Sequence, residues 1–465
     1  MRSKGLVWLM VVVLLVSTAA PAAAATGDKI VRTKVGLDGL KVVEYACRLL
    51  GCTVLFAIDT PPGETGHSSL FLVRGLVDGV LTLLLSLLGL ASIEPDAPVR
   101  LTETMAYDSD QASAAVVNEL YRREPMDYYG TTAWQGYLEQ PASAIVGVRD
   151  AHCTFGLTGR GVVAVIDTGV DTEHPTLAPF LVRGWDFTRG VAVGGETAGV
   201  GQASAAVVND VQWVNGSTAA AVDQASAAVV NDPDREAYGH GTMVAGVVHL
   251  VAPTARIMPL RAFGDDGQGH TSDVLRAVYY AVHHGAKVLN MSFSRPSSSP
   301  ELKRAIDYAT QRGVIAVASA GNDGRSAAVY PAALGNVMGI ASTGNDDRRS
   351  WFSNYGTPNV WMAAPGEGVI TTYPGGTFAA TWGTSFSAPF VAGAAALLVD
   401  LQPSASNSQV SSAVARAKRL TWDLNYGRLD LHQAILAGRS LWPYAPTQAP
   451  PEPCYSSGAD WTAAQ

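Results

Sequence analysis

The stretch Gly383-Thr384-Ser385-Phe386-Ser387-Ala388-Pro389, running into Phe390 to Leu398, limits the possible folds of this chain more than any other. From Phe390 to Leu398 a helix would be apolar on every side, so it must lie inside a core rather than on a surface. Pro389 fits a first turn, where its missing N–H goes unused, which starts the helix at about Ser385. A hydroxyl there sits at the positive end of a helix, beside unpaired backbone N–H groups. Such a serine is suited to be a nucleophile whose own N–H helps hold the oxyanion it creates. Taken alone, the stretch is an ordinary Ser/Thr cap before a core helix, so the nucleophile reading needs partners elsewhere.

The surrounding chain predicts where partners would come from. From Gly161 onward, apolar runs at Val162 to Ile166, Ile257 to Phe263, Lys287 to Phe293, Val314 to Ala318 and Val337 to Ala341 alternate with helical stretches. Those helices fall at about His240 to Val251, Thr271 to His284 and Ser299 to Gln311. Apolar strands joined by helical crossovers make an α/β fold, a doubly wound parallel sheet covered on both faces. Ligand sites in such sheets form at the carboxyl ends of the strands.

A chain of 465 residues exceeds a single core, and smaller pieces flank this domain. Residues 1–25 read as a signal peptide: Arg2 and Lys4, the apolar run Leu6 to Val16, then small residues through Ala25. The run is too short to serve as a membrane anchor, which needs about 20 residues. Residues 26–102 read as strand, helix, strand, strand, helix, strand, with helices at Gly39 to Leu50 and Val80 to Leu88 and a last strand at Ala91 to Leu101. That order is a small α+β sandwich of ferredoxin-like type. Residues 103–140 read as an irregular linker, 141–440 as the α/β domain, and 441–465 as a Pro-rich tail. The octamer Gln-Ala-Ser-Ala-Ala-Val-Val-Asn begins at Gln111 and recurs at 202–209 and 224–231. An identical, scattered repeat of this size reads as duplicated surface-loop material rather than a structural repeat.

A formal charge of -8 argues against a nucleic-acid partner, since phosphate recognition needs a basic surface. Cys47, Cys52, Cys153 and Cys454 permit disulfides in an exported chain, Cys153 with Cys454 among them. Pairing is open, as is the free thiol state, and no Cys/His cluster has zinc-ligand spacing.

Three residues elsewhere answer the need for partners. Asp167 ends the first strand of the sheet in Val165-Ile166-Asp167-Thr168-Gly169. His240 opens a helix in Gly239-His240-Gly241-Thr242, where a positive helix end keeps the imidazole neutral. Asn322 follows a strand in Ala318-Ser319-Ala320-Gly321-Asn322. Singly these are a turn Asp, an incidental His and a turn Asn. Jointly they supply what a serine alcohol requires: a neutral base to take its proton, and a carboxylate to fix the tautomer of that base. The order Asp167, His240, Ser385 is one of the known chain orders of such a triad.

On these motifs, roughly residues 141 to 437 resemble the subtilisin-like serine proteases. The resemblance implies Asp167 as orienting acid, His240 as general base and acid, Ser385 as nucleophile and Asn322 as oxyanion-hole donor. It also implies that Ser292, Phe293 and Ser294, with Ala318, Ser319 and Ala320, line the first specificity pocket. Gly267, Gln268 and Gly269 would pair with the substrate backbone. Ser294 departs from the glycine common in the family, and the segment from Gly190 to Asp232 lengthens the loop between Asp167 and His240. The resemblance makes the N-terminal module a propeptide, an intramolecular inhibitor removed by cleavage between about 102 and 150; the alternative is a binding domain kept in the mature protein. The expected protein is a secreted, monomeric zymogen of an endopeptidase acting on proteins or peptides, with no metal or cofactor in catalysis. A structural calcium ion is common in the family, but no EF-hand-like loop is present to assign one. A non-catalytic binding protein on the same fold, and an esterase, are the other readings.

Overall fold

The computed structural model describes residues 27–34, 38–62, 68–75, 90–101, 119, 122–193 and 237–442. The signal peptide, the helix expected at 80–88, the three octamers, most of the 190–232 loop and the tail from 443 lie outside these residues.

The chain divides into two compact units, Met1–Ala97 and Pro98–Gln465. In the first, the elements are β1 (Lys29–Thr33), α1 (Gly39–Leu50), β2 (Thr53–Ala57), β3 (Leu70–Arg74) and β4 (Leu90–Pro95). The strands form one antiparallel sheet in the order β2-β3-β1-β4, the ferredoxin-like order. Asp38 caps α1 by accepting from the Lys41 N–H, and Gly51 ends it in the left-handed region at φ 73°. Val43 and Cys47 on α1 pack against Val31, Phe71 and Val73 of the sheet. A Cys47–Cys52 disulfide ties the end of α1 to the start of β2. Cys153, in the second unit, is also disulfide-bonded, to a partner outside the described residues.

The second unit begins with β5 (Pro98–Leu101), the hairpin β6 (Pro125–Tyr128) and β7 (Thr131–Trp134), and three short helices, α2 (Gln135–Leu138), α3 (Pro141–Val146) and α4 (Val148–Cys153). There follow β8 (Val162–Asp167), β9 (Gly184–Asp186), β10 (Val191–Val193), α5 (His240–Val251), β11 (Arg256–Arg261), β12 (Gln268–His270) and α6 (Thr271–His283). Next come β13 (Val288–Met291), β14 (Phe293–Ser294), α7 (Pro300–Gln311), β15 (Ile315–Ser319), β16 (Met338–Thr343) and β17 (Met362–Pro365). The hairpin β18 (Val369–Tyr373) and β19 (Thr377–Thr381) precedes α8 (Thr384–Leu401), α9 (Asn407–Val414) and α10 (Leu431–Leu441).

Eight strands form the main sheet in the order β10-β9-β11-β8-β13-β15-β16-β17, parallel throughout except for the edge strand β10. The near-continuous apolar character of β8, β13 and β15 follows from cover on both faces: every residue from Val288 to Met291 and from Ile315 to Ser319 is buried. Helix α8 is long and apolar enough to cross a membrane, yet all of it is buried inside the protein. It packs on α5, and the two backbones approach so closely that a Cβ on Gly393 would stand 2.5 Å from Val251 Cβ.

Three sequence expectations need correction. The last strand of the N-terminal module is not one run to Leu101. β4 ends at Pro95, and Pro98–Leu101 joins a different sheet, since two prolines cannot both sit in an uninterrupted ladder. The expected linker at 103–140 already contains folded chain from residue 122. Tyr128 and Tyr137 are fully buried, and their hydroxyls donate to Leu250 O and Gly246 O of α5, both at 2.7 Å. Leu250 O is one of the last four carbonyls of that helix, which have no partner within it, so the hairpin acts as its cap. Finally, α8 starts at Thr384, which puts Pro389 beyond the first turn.

Candidate active site

β8 ends at Asp167, with β11 and β13 parallel on either side, so its carboxylate stands at the edge where a wound sheet builds its sites. Asp167 Oδ1 accepts from the Thr168 N–H at 2.8 Å and lies 2.8 Å from His240 Nδ1. Neither side chain is more than 1% exposed. A carboxylate can only accept, so the shared proton belongs to Nδ1 and the lone pair of the neutral ring to Nε2. That Nε2 is buried with no hydrogen-bond partner among the described residues. Thr168 Oγ1 accepts from the Gly241 N–H at 3.1 Å, which docks the start of α5 onto the turn after β8. Only glycine allows this approach: a Cβ at 241 would meet Gly169 O at 2.1 Å.

Ser385 is the second residue of α8 and is buried. The ring of its neighbour Phe386 lies 5.3 Å from that of His240, centroid to centroid. The hydroxyl of Ser385 donates to Ser292 O at 3.4 Å, and no hydrogen bond joins it to His240 Nε2 in this structure. Pro389, lying past the first turn, leaves a carbonyl of the helix vacant. In an α-helix the N–H at 389 would bond the carbonyl at 385, and proline has none. Ser385 O accepts instead from Ser292 Oγ at 3.0 Å, so a residue expected to wall the specificity pocket also pins the backbone of the nucleophile.

Asn322 Oδ1 accepts from the Thr384 N–H at 3.0 Å and from Thr384 Oγ1 at 2.8 Å. With Oδ1 so engaged, Nδ2 is the donor end of the amide, as an oxyanion site requires. The Gly321 N–H donates in turn to Thr384 Oγ1 at 3.2 Å. Thr168 and Thr384 are the supports that sequence reasoning overlooked, although both stand inside the quoted motifs.

The expected substrate walls lie on two sides of one further strand. Gln268 and Gly269 are in β12, just after the turn at Gly267, and Phe293 and Ser294 form β14. Ala318 and Ser319 end β15, where Ala318 pairs with Met291, and all three of Ala318, Ser319 and Ala320 are fully buried. β5 runs antiparallel between β12 and β14, with Arg100 opposite Ser294. Its presence there was not foreseen; the interruption Pro95-Asp96-Ala97-Pro98 was the available signal. Among the described residues no group of three His, Cys, Asp or Glu is arranged to hold a metal ion.

The subtilase family model matches residues 159–433, more than half of the chain and all four motif segments. The chain belongs to the subtilase family. Subtilisin BL of Lederbergia lenta is 36% identical over 265 residues, covering 55% of this chain and 82% of that protein. Thermitase of Thermoactinomyces vulgaris is 36% identical over 287 residues, covering 59% and 88%. Among solved structures, fervidolysin from Fervidobacterium pennivorans superposes with a TM-score of 0.64 at 21% identity, over 90% of this chain and 62% of its own, which speaks to the fold. This subtilase is a serine-type endopeptidase, and its doubly wound sheet is the subtilisin-like one.

Proposed function

We propose that this subtilase is exported as a zymogen and hydrolyses peptide bonds through an acyl-enzyme on Ser385. His240 removes the Ser385 proton as the hydroxyl adds to the scissile carbonyl, and returns it to the leaving amine. Asp167 holds the ring with Nε2 toward the nucleophile and stabilises the imidazolium that forms. Asn322 Nδ2 and the Ser385 N–H receive the oxyanion. The chemistry draws on side chains and backbone alone. The observation that carries the reading is the buried Asp167–His240 pair, whose Nε2 has no partner among the described residues and whose ring lies 5.3 Å from that of Phe386, the residue after Ser385. A buried imidazole lone pair left without a partner costs stability, and one whose other nitrogen is held by a buried carboxylate at a sheet edge is suited to receive a proton.

The export reading rests on Arg2, Lys4, the apolar run to Val16 and the small residues after it. The zymogen reading rests on the ferredoxin-like module between that segment and the enzyme, acting as an intramolecular inhibitor. The protein is taken to act as a monomer on protein substrates. Wild type and Ser385→Ala are compared on casein, each purified to homogeneity. The reading expects cleavage by wild type alone, and casein cleavage that persists in the alanine variant overturns it.

A further inference from the structure

Asn322 stands on the turn that follows β15, beyond the last residue that a strand ladder holds in place. Thr384 grips its side chain from one direction; a second residue grips the backbone of the turn from another. Asn354, on the connection between β16 and β17, is fully buried and commits its whole amide to that turn. Its Nδ2 donates to Ala320 O at 3.0 Å and to Asp323 Oδ2 at 3.2 Å. Its Oδ1 accepts from the Asp323 N–H and the Arg325 N–H, both at 3.1 Å. The Asn354 N–H donates to Gly321 O at 2.9 Å. Residues 320, 321, 323 and 325 are therefore all bonded to one residue, and Asn322 lies in the middle of them.

The partners fix which way the Asn354 amide points. A flipped amide would set its oxygen against Ala320 O and a carboxylate, and its NH2 group against two N–H donors. Contact with the turn is close: a Cβ on Gly321 would stand 2.4 Å from Asn354 Nδ2. Asn354 is itself tied to the main sheet. Its carbonyl accepts from Ser353 Oγ at 3.0 Å, and Ser353 Oγ accepts from the Ser342 N–H of β16 at 2.9 Å. Asp323 and Arg325 expose their side chains, so the turn has little packing of its own, and bonds to a buried amide anchored on an interior strand give it one position. An oxyanion donor must meet charge that is absent until the transition state, and a displacement of about 1 Å costs on the order of 10²-fold in rate. We propose that Asn354 is the positioning residue of the oxyanion hole: it sets the turn 320–325 so that Asn322 Nδ2 meets the developing charge. This rests on the oxyanion role given to Asn322 above.

The test is a double-mutant cycle on the full chain: wild type, Asn354→Ala, Asn322→Ala and the two together, assayed by steady-state kinetics on a synthetic peptide. Rates are expressed per competent site, counted by the stoichiometry of fluorophosphonate labelling at completion, so a variant that folds in low yield still gives a defined kcat. Asn354→Ala is expected to lower kcat about tenfold or more with KM little changed, the mark of a contact made in the transition state alone. In the Asn322→Ala background the same change is expected to cost less than about twofold, because the group it positions is gone. Asn354→Asp is a second variant that leaves no cavity. It keeps an acceptor for both N–H groups but sets a second oxygen against Ala320 O and Asp323 Oδ2, and its kcat is expected to fall in the same way. An equal loss of kcat in both backgrounds, or a lower Tm with kcat per site unchanged in Asn354→Ala and Asn354→Asp, overturns the assignment of Asn354 and leaves the role of Asn322 standing. Wild-type kcat in Asn322→Ala alone overturns the oxyanion reading, and this inference with it.

Discussion

At the scale of single residues, the site works by polar atoms whose partners are fixed before substrate arrives. Asn322 shows this: Thr384 makes two hydrogen bonds to its Oδ1, which leaves Nδ2 as the donor end for the oxyanion role proposed above. Asn322→Ala should lower kcat about 10²–10³-fold with little change in KM, read by steady-state kinetics on a peptide substrate. That magnitude is the one seen for the same loss in subtilisin, a member of this family, and is carried over on that kinship. Asp167→Asn should keep the geometry but favour the wrong tautomer of His240, costing about 10⁴-fold in kcat; retention of a tenth of the activity would speak against the assigned role. Ser292→Ala removes the side-chain donor to the buried Ser385 carbonyl. It should cost about 1–3 kcal/mol of stability, visible as a Tm several degrees lower by calorimetry in the Ser385→Ala background. The placement of Asp167, His240, Ser385 and Asn322 at or beside element ends was legible in the sequence because each sits in a motif that borders an apolar run. The bond from Ser292 to Ser385 was not, because it joins side chain to backbone across 93 residues, and no local pattern says which group takes the carbonyl that Pro389 leaves vacant.

At the scale of elements, strand and helix positions were legible wherever hydrophobic period was strong. α5 was expected at about His240 to Val251 and α7 within a residue of its observed start, and β8, β11, β13, β15 and β16 of the main sheet fall on the expected runs, while β9, β10 and β17 were not expected. Two stretches without such periodicity were misread. The hairpin β6–β7 is short, and the Tyr128 hydroxyl ties it to α5, as Tyr137 ties the adjoining α2, through long-range bonds that no local pattern announces. β5 is four residues of edge-to-edge pairing whose partners lie far along the chain, so only its flanking prolines hinted that it had left the small sheet. The α5–α8 contact offers a direct test of packing. Gly393→Ala would push a methyl into Val251 and should destabilise the protein by about 1–3 kcal/mol, measured as a shift in urea midpoint without a change in m-value. An unchanged midpoint would mean that the two helices are not as close as the structure has them.

At the scale of the whole molecule, the second unit was legible as a doubly wound sheet because parallel strands buried on both faces leave a plain mark in sequence. Its response to acid was not legible, since it depends on which histidines are enclosed. Burial pushes His152 down to about 4, against the pull of its bond to Val251 O. Burial, helped by the nearby His174 and His152, pushes His249 down to about 3, and neither of its ring nitrogens finds a partner among the described residues. Both groups are neutral in the fold at pH values where the unfolded chain, at about 6.5, begins to protonate. Their contribution is therefore complete above about pH 6.5 and is lost as pH falls toward 4 and 3, an effect on the order of a few kcal/mol. Thermal melts of Ser385→Ala should show a clear fall in Tm between pH 7 and pH 4.5, and His249→Leu should reduce that fall; an equal fall in both would remove His249 from the explanation. All of the chemistry assigned to this molecule comes down to one hydroxyl activated by one buried pair. The decisive measurement is fluorophosphonate labelling of the purified wild-type enzyme followed by peptide mapping. A single adduct on Ser385 is expected, forming at a rate that collapses in His240→Ala; an adduct on another residue, or undiminished labelling of Ser385 without His240, would refute the assignment.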